Sequence, residues 1–563
     1  MVKLESKRLG DVLSALISIT FLVLLNILVA KNFHRIDLTE EGRYSIQPAT
    51  KKLLNELDDV VYVEVYLDGE LNAGFKRLRN SIRETLEEFR VYSGNNIQYT
   101  FNDPNAALSE SAKNQFMQNL MAKGIQPTNV IDQENGQRME RLIFPGAVVS
   151  YGGVEKGVML LRGNQAATPE EKLNQSIEGV EYELSMAISN LTSLERKKVG
   201  LLRGHDEMAA TEIESFNIAL ASQYDVKEVR LNKSLQNYDV LIIPGPKEPF
   251  SEADKYYLDQ YLLNGGKVML LLDKLQANMD SASLEHNYAF PYEINLDDQL
   301  FRYGIRINND LIQDNSAALY PVNVGNVGDQ PQIKALKWWF FPVINRFGQH
   351  PITNNMDGIL MRFVSTIDTV KSDGIRKIPL LFTSDYSRSV TAPVKVSIPD
   401  LRKNLTPQML NERNLAVAYL LEGAFESLYK NRFKPESIDD TDFIDKATAE
   451  GKLLVVSDSD IARNEVNPRT GKPQALGFYP FAPSIFANED FLMNSLSYLM
   501  DDQGIITARN KEVKIRPLNK VKVNKEKWKW QLINMLLPVL LFTAYGIIRY
   551  YMRKKRYTGF STE

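Results

Sequence analysis

Apolar residues in this chain fall into three patterns, and each predicts a different kind of element. Two runs carry no charge at all, Val12–Ala30 and Trp530–Ile548. As helices each would be about 28 Å long, close to the hydrocarbon thickness of a bilayer. The first follows Lys3, Lys7 and Arg8, yet it is longer than a signal-peptide core, and its exit Leu28-Val29-Ala30-Lys31 has no small-x-small cleavage site. It is read as a retained anchor. The second has Trp528 and Trp530 at its start, Arg549, Arg553, Lys554, Lys555 and Arg556 beyond its end, and Pro538 at its centre, a kink that a membrane span tolerates. Two spans put both ends of the chain on one side of the membrane. The basic ends, 1–11 and 549–563, are expected in the cytoplasm, and residues 36–520 in the periplasm.

Between the spans the periods are 2 and 3.6. Val61, Val63, Val65 and Leu67 alternate with polar partners and predict a strand; Phe75, Leu78, Ile82, Leu86 and Phe89 mark one face of a helix. Ser45 or Thr50 is expected to cap a short helix reaching Leu57. A strand from Ile97 to Asn102, a hairpin over Ala147–Leu161 and a helix from Glu170 to Leu191 complete a first α/β domain, 31–191, with a thioredoxin-like layout. A polar boundary at Thr192–Lys198 follows. Then strands at Val199–Leu202, Val226–Leu231, Val240–Ile243 and Lys267–Leu272 alternate with helical faces, and Ser251 with Asp254 forms a capping-box pattern. This alternation predicts a parallel sheet in a second domain, 199–510. Its pattern blurs over about 288–413, which includes Trp338-Trp339-Phe340-Phe341, so an irregular insertion is expected there, with the aromatic cluster in core packing or a domain contact and a lipid or partner contact as the alternative. Strands at Leu415–Leu420 and Leu453–Ser457 and a helix at Asn488–Met500 restore the regularity. Residues 511–529 read as a juxtamembrane linker. The fold class is α/β, with two terminal transmembrane helices flanking two tandem domains.

Chemistry narrows the picture mainly by exclusion. The chain has no cysteine, so disulfides, thiolate metal sites and thiol nucleophiles are ruled out. Its 67 basic and 70 acidic residues leave a net charge of −3, which gives no electrostatic case for nucleic acid. Gly471-Lys472 lacks the rest of a P-loop, and no GxGxxG occurs, so neither ATP hydrolysis nor a dinucleotide cofactor is expected in this chain. No cofactor or metal is expected. Asp458-Ser459-Asp460 supplies too few oxygens for a divalent cation and is read as a solvated turn. One loop stands out. Arg203, Gly204, His205, Asp206 and Glu207 follow a predicted buried strand, where open α/β sheets bind ligands. They offer a guanidinium, an imidazole and two carboxylates for a ligand or a partner; the plain alternative is a polar loop that caps the next helix.

Several segments together resemble a known family. They are Arg35-x-Asp37-Leu38-Thr39 with Tyr44-Ser45, Gly204-His205, Asp239–Pro246, Leu258–Leu262 before Gly265-Gly266, Glu422-Gly423 with Phe425 and Ser427-Leu428, and the Asn494 helix followed by Ile505–Arg509. The chain thereby resembles the auxiliary subunits of bacterial ABC transporters, and within them the gliding-motility-associated, substrate-binding type of the Bacteroidota. The resemblance implies an inner-membrane accessory subunit without catalytic residues, working with a separate ABC permease subunit and a cytoplasmic ABC ATPase subunit, and touching lipid through its two spans. It also implies an amidotransferase-like outline for the second domain, without that activity because the cysteine is missing. The family pattern usually reads Gly-His-Gly-Glu, and Asp206 departs from it at the third position. Two other readings are a membrane-tethered envelope hydrolase using His205, and a non-catalytic structural scaffold.

Overall fold

The computed structural model describes residues 13–24, 45–104, 109–134, 137–161, 168–193, 195–284, 286–327, 329–402, 407–436, 438, 443–510 and 520–558. Helix α1 (Leu13–Leu24) covers part of the first apolar run and is by itself too short to cross a bilayer. The rest of that predicted span, the tail 1–11, the Arg35–Thr39 segment and most of the 511–529 linker lie outside the described residues. The chain divides into two units, Met1–Lys511 and Glu512–Glu563.

The larger unit is built on two main sheets, of four and eight strands, beside smaller ones of two or three strands. Around the first, α2 (Pro48–Asn55), β1 (Val61–Val65), α3 (Ala73–Tyr92), β2 (Ile97–Phe101), α4 (Glu110–Ala122), β3 (Thr128–Glu134), β4 (Gln137–Ile143), β5 (Gly146–Tyr151), β6 (Val154–Met159) and α5 (Pro169–Thr192) follow in order. The strand order is β2-β1-β5-β6, with β1 and β2 parallel and the other neighbours antiparallel. Val61, Val63 and Val65 face the core, where α3 sets Phe75, Leu78, Ile82, Leu86 and Phe89 against them. Neither Ser45 nor Thr50 caps α2. Gln47 precedes it in extended conformation and Pro48, with its φ already near the helical value, begins it. Thr50 is buried against the Ser185 hydroxyl instead.

The second sheet begins with β7 (Lys198–Leu202), α6 (Glu214–Gln223), β8 (Asp225–Val229), β9 (Val240–Pro244), α7 (Glu252–Leu263) and β10 (Lys267–Leu271). Later come the single turn α8 (Met279–Ala282), α9 (Asp297–Tyr303), strands Arg346–Phe347, Ile375–Phe382, Ala416–Gly423 and Gly451–Val456, and α10 (Asn488–Leu499). Strands β8, β7, β9, β10 and Gly451–Val456 lie side by side and parallel. Ala416–Gly423, Ile375–Phe382 and Arg346–Phe347 extend them antiparallel to a total of eight. The sheet is thus mixed, where the βαβ pattern predicts a parallel one. Two of its strands come from the 288–413 stretch, and Ile375–Phe382 is mostly half-buried, so it lacks the unbroken apolar run of a central strand. Alternation places Val199, Leu201 and Ile242 against α6 and α10, and Leu241 and Ile243 against α7 and α9. The long hairpin Ala317–Val327 with Gln330–Ile344 carries Trp338, Phe340 and Phe341, which are buried with Phe363 as a core of their own.

The described residues of the smaller unit form one helix, α11 (Lys520–Thr558), with Pro538 inside it. Among the described residues it is the one helix long and apolar enough to cross a membrane.

Candidate site at the carboxyl edge of the parallel strands

The five parallel strands, numbered along the chain, lie in the order 2-1-3-4-5, so the winding reverses between β7 and β9. Such a reversal opens a crevice at the carboxyl ends of the two strands. Residues 203–208 leave β7 there and residues 245–250 leave β9. Backbone bonds join the two loops: the Met208 N–H donates to the Pro244 carbonyl, and those of Lys247 and Glu248 to the His205 carbonyl.

All five residues singled out from the sequence are together at this point. Glu207 folds back so that its carboxylate accepts from the backbone N–H groups of Gly204 at 2.9 Å and His205 at 3.0 Å. His205 is 6% exposed; its ring stacks on Phe250 at 3.8 Å between centroids. Its Nδ1 lies 3.3 Å from Glu207 Oε1 and its Nε2 3.4 Å from Asp254 Oδ2. Burial pushes the imidazole pKa down, but the bonds to Glu207 and Asp254 outweigh it and hold the value above the ordinary histidine range. Burial raises the Glu207 carboxyl, and the His205 ring and the backbone donors bring it below its usual range. Asp254 also closes the capping box with Ser251 at the start of α7, so His205 ties the β7 loop to a helix N-terminus. Arg203 bonds Glu228 through Nε at 2.9 Å and the Met208 carbonyl through Nη1, while its buried Nη2 has no hydrogen-bond partner. Gly204 has φ 136° and Asp206 φ 51°, so a non-glycine residue holds a left-handed position. The Asp206 side chain points to solvent, its carboxylate 4.0 Å from Lys247 Nζ.

The edge continues into a group that pattern reading placed in solvent. Asp458 and Ser459 are buried, not part of a solvated turn. Asp458 accepts from the N–H groups of Arg362 at 2.7 Å and Asp460 at 2.8 Å. Ser459 gives its N–H to Asp273 at 2.7 Å, just past the end of β10. Burial, then the charge of Asp460, pushes the Asp273 carboxyl up to about 6, and burial raises Asp458 well above the usual range. Arg463 binds Asp460 and Glu212 on the open side. Part of the signal was present in the sequence, since two buried strands are each followed two residues on by an aspartate, Asp273 and Asp458; that both strands share one sheet was not. Among the described residues no group of three or more His, Asp or Glu side chains is arranged to hold a metal. Gly245, at φ 64°, connects the two groups, since a Cβ there would lie 2.7 Å from Ser459 Oγ.

Comparison with known proteins gives these loops a context. A family model described as an ABC-type uncharacterized transport system matches residues 196–495, which takes in the whole edge. A second, described as a domain of unknown function (DUF7088), matches residues 40–150. An uncharacterized protein of Borreliella burgdorferi is 21% identical over 565 residues, covering 97% of this chain and 99% of that protein. Among solved structures, the mmIFT52 N-terminal domain is 15% identical with a TM-score of 0.30, over 54% of this chain and 98% of that one. The structure of PurLQS from Thermotoga maritima is 11% identical with a TM-score of 0.20, over 54% and 99%. Scores this low carry no argument.

Proposed function

The chain belongs to the ABC-type transport system family matched over residues 196–495, and from that premise we propose that it is the membrane-anchored, substrate-binding-type accessory subunit of an ABC transporter. Family membership is the observation that carries the reading. The apolar helix α11 supports a membrane anchor, in this reading in the inner membrane, and the lack of nucleotide motifs in the sequence is in keeping with a subunit that works beside a separate permease and a cytoplasmic ATPase. Residues 36–520 face the periplasm in this reading, and both ends of the chain face the cytoplasm. The gliding-motility branch is the finer assignment, resting on the motif resemblance. The strand order of the first sheet suits a thioredoxin-like module without its cysteines, and the second sheet an amidotransferase-like one without its nucleophile.

The Arg203–Glu207 loop serves this subunit as a partner or ligand surface, not as a catalytic centre. Each ring nitrogen of His205 faces a carboxylate oxygen, so neither is directed at a hydroxyl to activate. The outward features are the Asp206 side chain and the half-buried Arg203. Purification of the full chain from native membranes in mild detergent tests the assignment. An ABC permease and an ATPase are expected to co-elute; a stable, functional complex lacking both overturns it. His205→Ala separates out the hydrolase reading, because a folded variant that loses function without losing partners would restore it.

A further inference from the structure

The first turns of helix α11 are strongly basic. Lys520, Lys522, Lys525, Lys527 and Lys529 stand against one carboxylate, Glu526, which is the single acidic residue of the helix. Residues 520–529 are helical and run without a break into the apolar stretch, so the bearing of each position around the axis is fixed. At about 100° per residue, Lys525, Trp528 and Lys529 fall on one side as neighbours at i, i+3 and i+4, and Lys527 falls on the opposite side. Glu526 accepts a hydrogen bond from Trp530 Nε1 at 3.1 Å, and Lys522 has an interaction of its own within the chain. Lys525 and Lys529 are exposed, and Trp528 is 79% exposed.

Depth in a membrane gives these three side chains a common level. The uncharged run starts at Trp530. Counted back along the helix, Lys529 stands about 1.5 Å and Lys525 about 7.5 Å from that residue. The headgroup layer on each side of the hydrocarbon is about 5–8 Å deep, so both lysines lie within it when α11 spans the bilayer. A tryptophan ring suits the same level, with its apolar body toward the acyl chains and its N–H toward water. Charge selects the kind of lipid. A zwitterionic headgroup brings its own ammonium to a surface that is already positive, whereas an anionic one brings phosphate without it. A second copy of α11 would set lysine against lysine. We propose that Lys525, Trp528 and Lys529 form a binding site for the phosphate headgroup of an anionic phospholipid. The inference rests on the membrane-anchor part of the reading above, and adds to it a class of lipid and the face of α11 that holds it.

The experiment uses the full chain in mild detergent, titrated with phosphatidylglycerol or phosphatidylcholine, with the lipids retained per chain counted by native mass spectrometry. Saturable retention of phosphatidylglycerol is expected, roughly fivefold or more above phosphatidylcholine. Lys525→Gln and Lys529→Gln should each weaken it roughly threefold or more, and Lys527→Gln, which removes the same charge from the opposite side, by less than about 1.5-fold. Added inorganic phosphate should leave the lipid in place. Equal retention of the two lipids, equal losses in the three lysine variants, or displacement of the lipid by inorganic phosphate overturns the proposal. So does a protein, a second copy of this chain included, held through Lys525 and Lys529 in place of lipid. Alkaline carbonate tests the anchor separately. Release of the chain from native membranes defeats the anchor reading, whereas retention there without a preference for phosphatidylglycerol defeats this inference alone.

Discussion

Asp206 adopts with a side chain the backbone conformation that glycine adopts without strain, at φ 51°. Aspartate tolerates this region better than most residues but still pays for it. Asp206→Gly should therefore raise stability by up to about 1 kcal/mol, and Asp206→Val should lower it by more than that, as measured by urea titration in detergent. Asp206 thus stands at a position whose backbone conformation favours glycine. His205 yields a pH prediction. Its pKa is raised in the folded chain, so its contribution to stability is complete below the ordinary value of 6.5 and fades as pH rises through the folded one. The stability lost in His205→Gln should be largest near pH 5.5 and should shrink by pH 9. The sequence placed these five residues together because they are neighbours in it. The Asp273–Ser459 bond joins residues far apart in the chain, and only the strand order brings them to one edge.

At the scale of elements, legibility followed the strength of the local signal. Strands β7, β9 and β10 are short apolar runs between turn residues, and the helix with the capping box begins where Ser251 and Asp254 indicate. Helix α4 escaped notice because its apolar contacts, Phe116, Met117 and Leu120, are confined to its second half, and the β3–β4 hairpin because its strands are largely polar. Ile375–Phe382 was hidden for a different reason: its partner strand decides its place, and pairing is not written in either segment alone. The Ser251 cap is testable directly. Its hydroxyl serves the Asp254 N–H, and the Asp254 carboxylate serves both the Ser251 N–H and His205. Ser251→Ala should cost about 1 kcal/mol in a urea titration, and more when combined with His205→Gln than the two single losses added, because they share Asp254.

For the whole molecule, the sidedness of the membrane decides what every loop is able to meet. A reporter active only in the periplasm should work when inserted near Thr192 and be silent after Glu563; the reverse pattern places the sheets in the cytoplasm and removes the external-module reading. The apolar pattern pointed to an α/β chain with a span at each end, of which one span-length helix lies among the described residues, while the sharing of Ile505 between the tail of one sheet's chain and the core of the other became visible only in three dimensions. Helix α11 has 39 residues, which at 1.5 Å each makes a rod of about 58 Å, about twice the thickness of a hydrocarbon layer of about 30 Å. Its surplus emerges as roughly equal stubs flanking the apolar run, each armed with basic side chains. Proline at position 538 removes a rung of the helix ladder close to the midpoint. With that bond missing, any bend between the lysine-rich stub and the arginine-rich one is expected to fall at position 538.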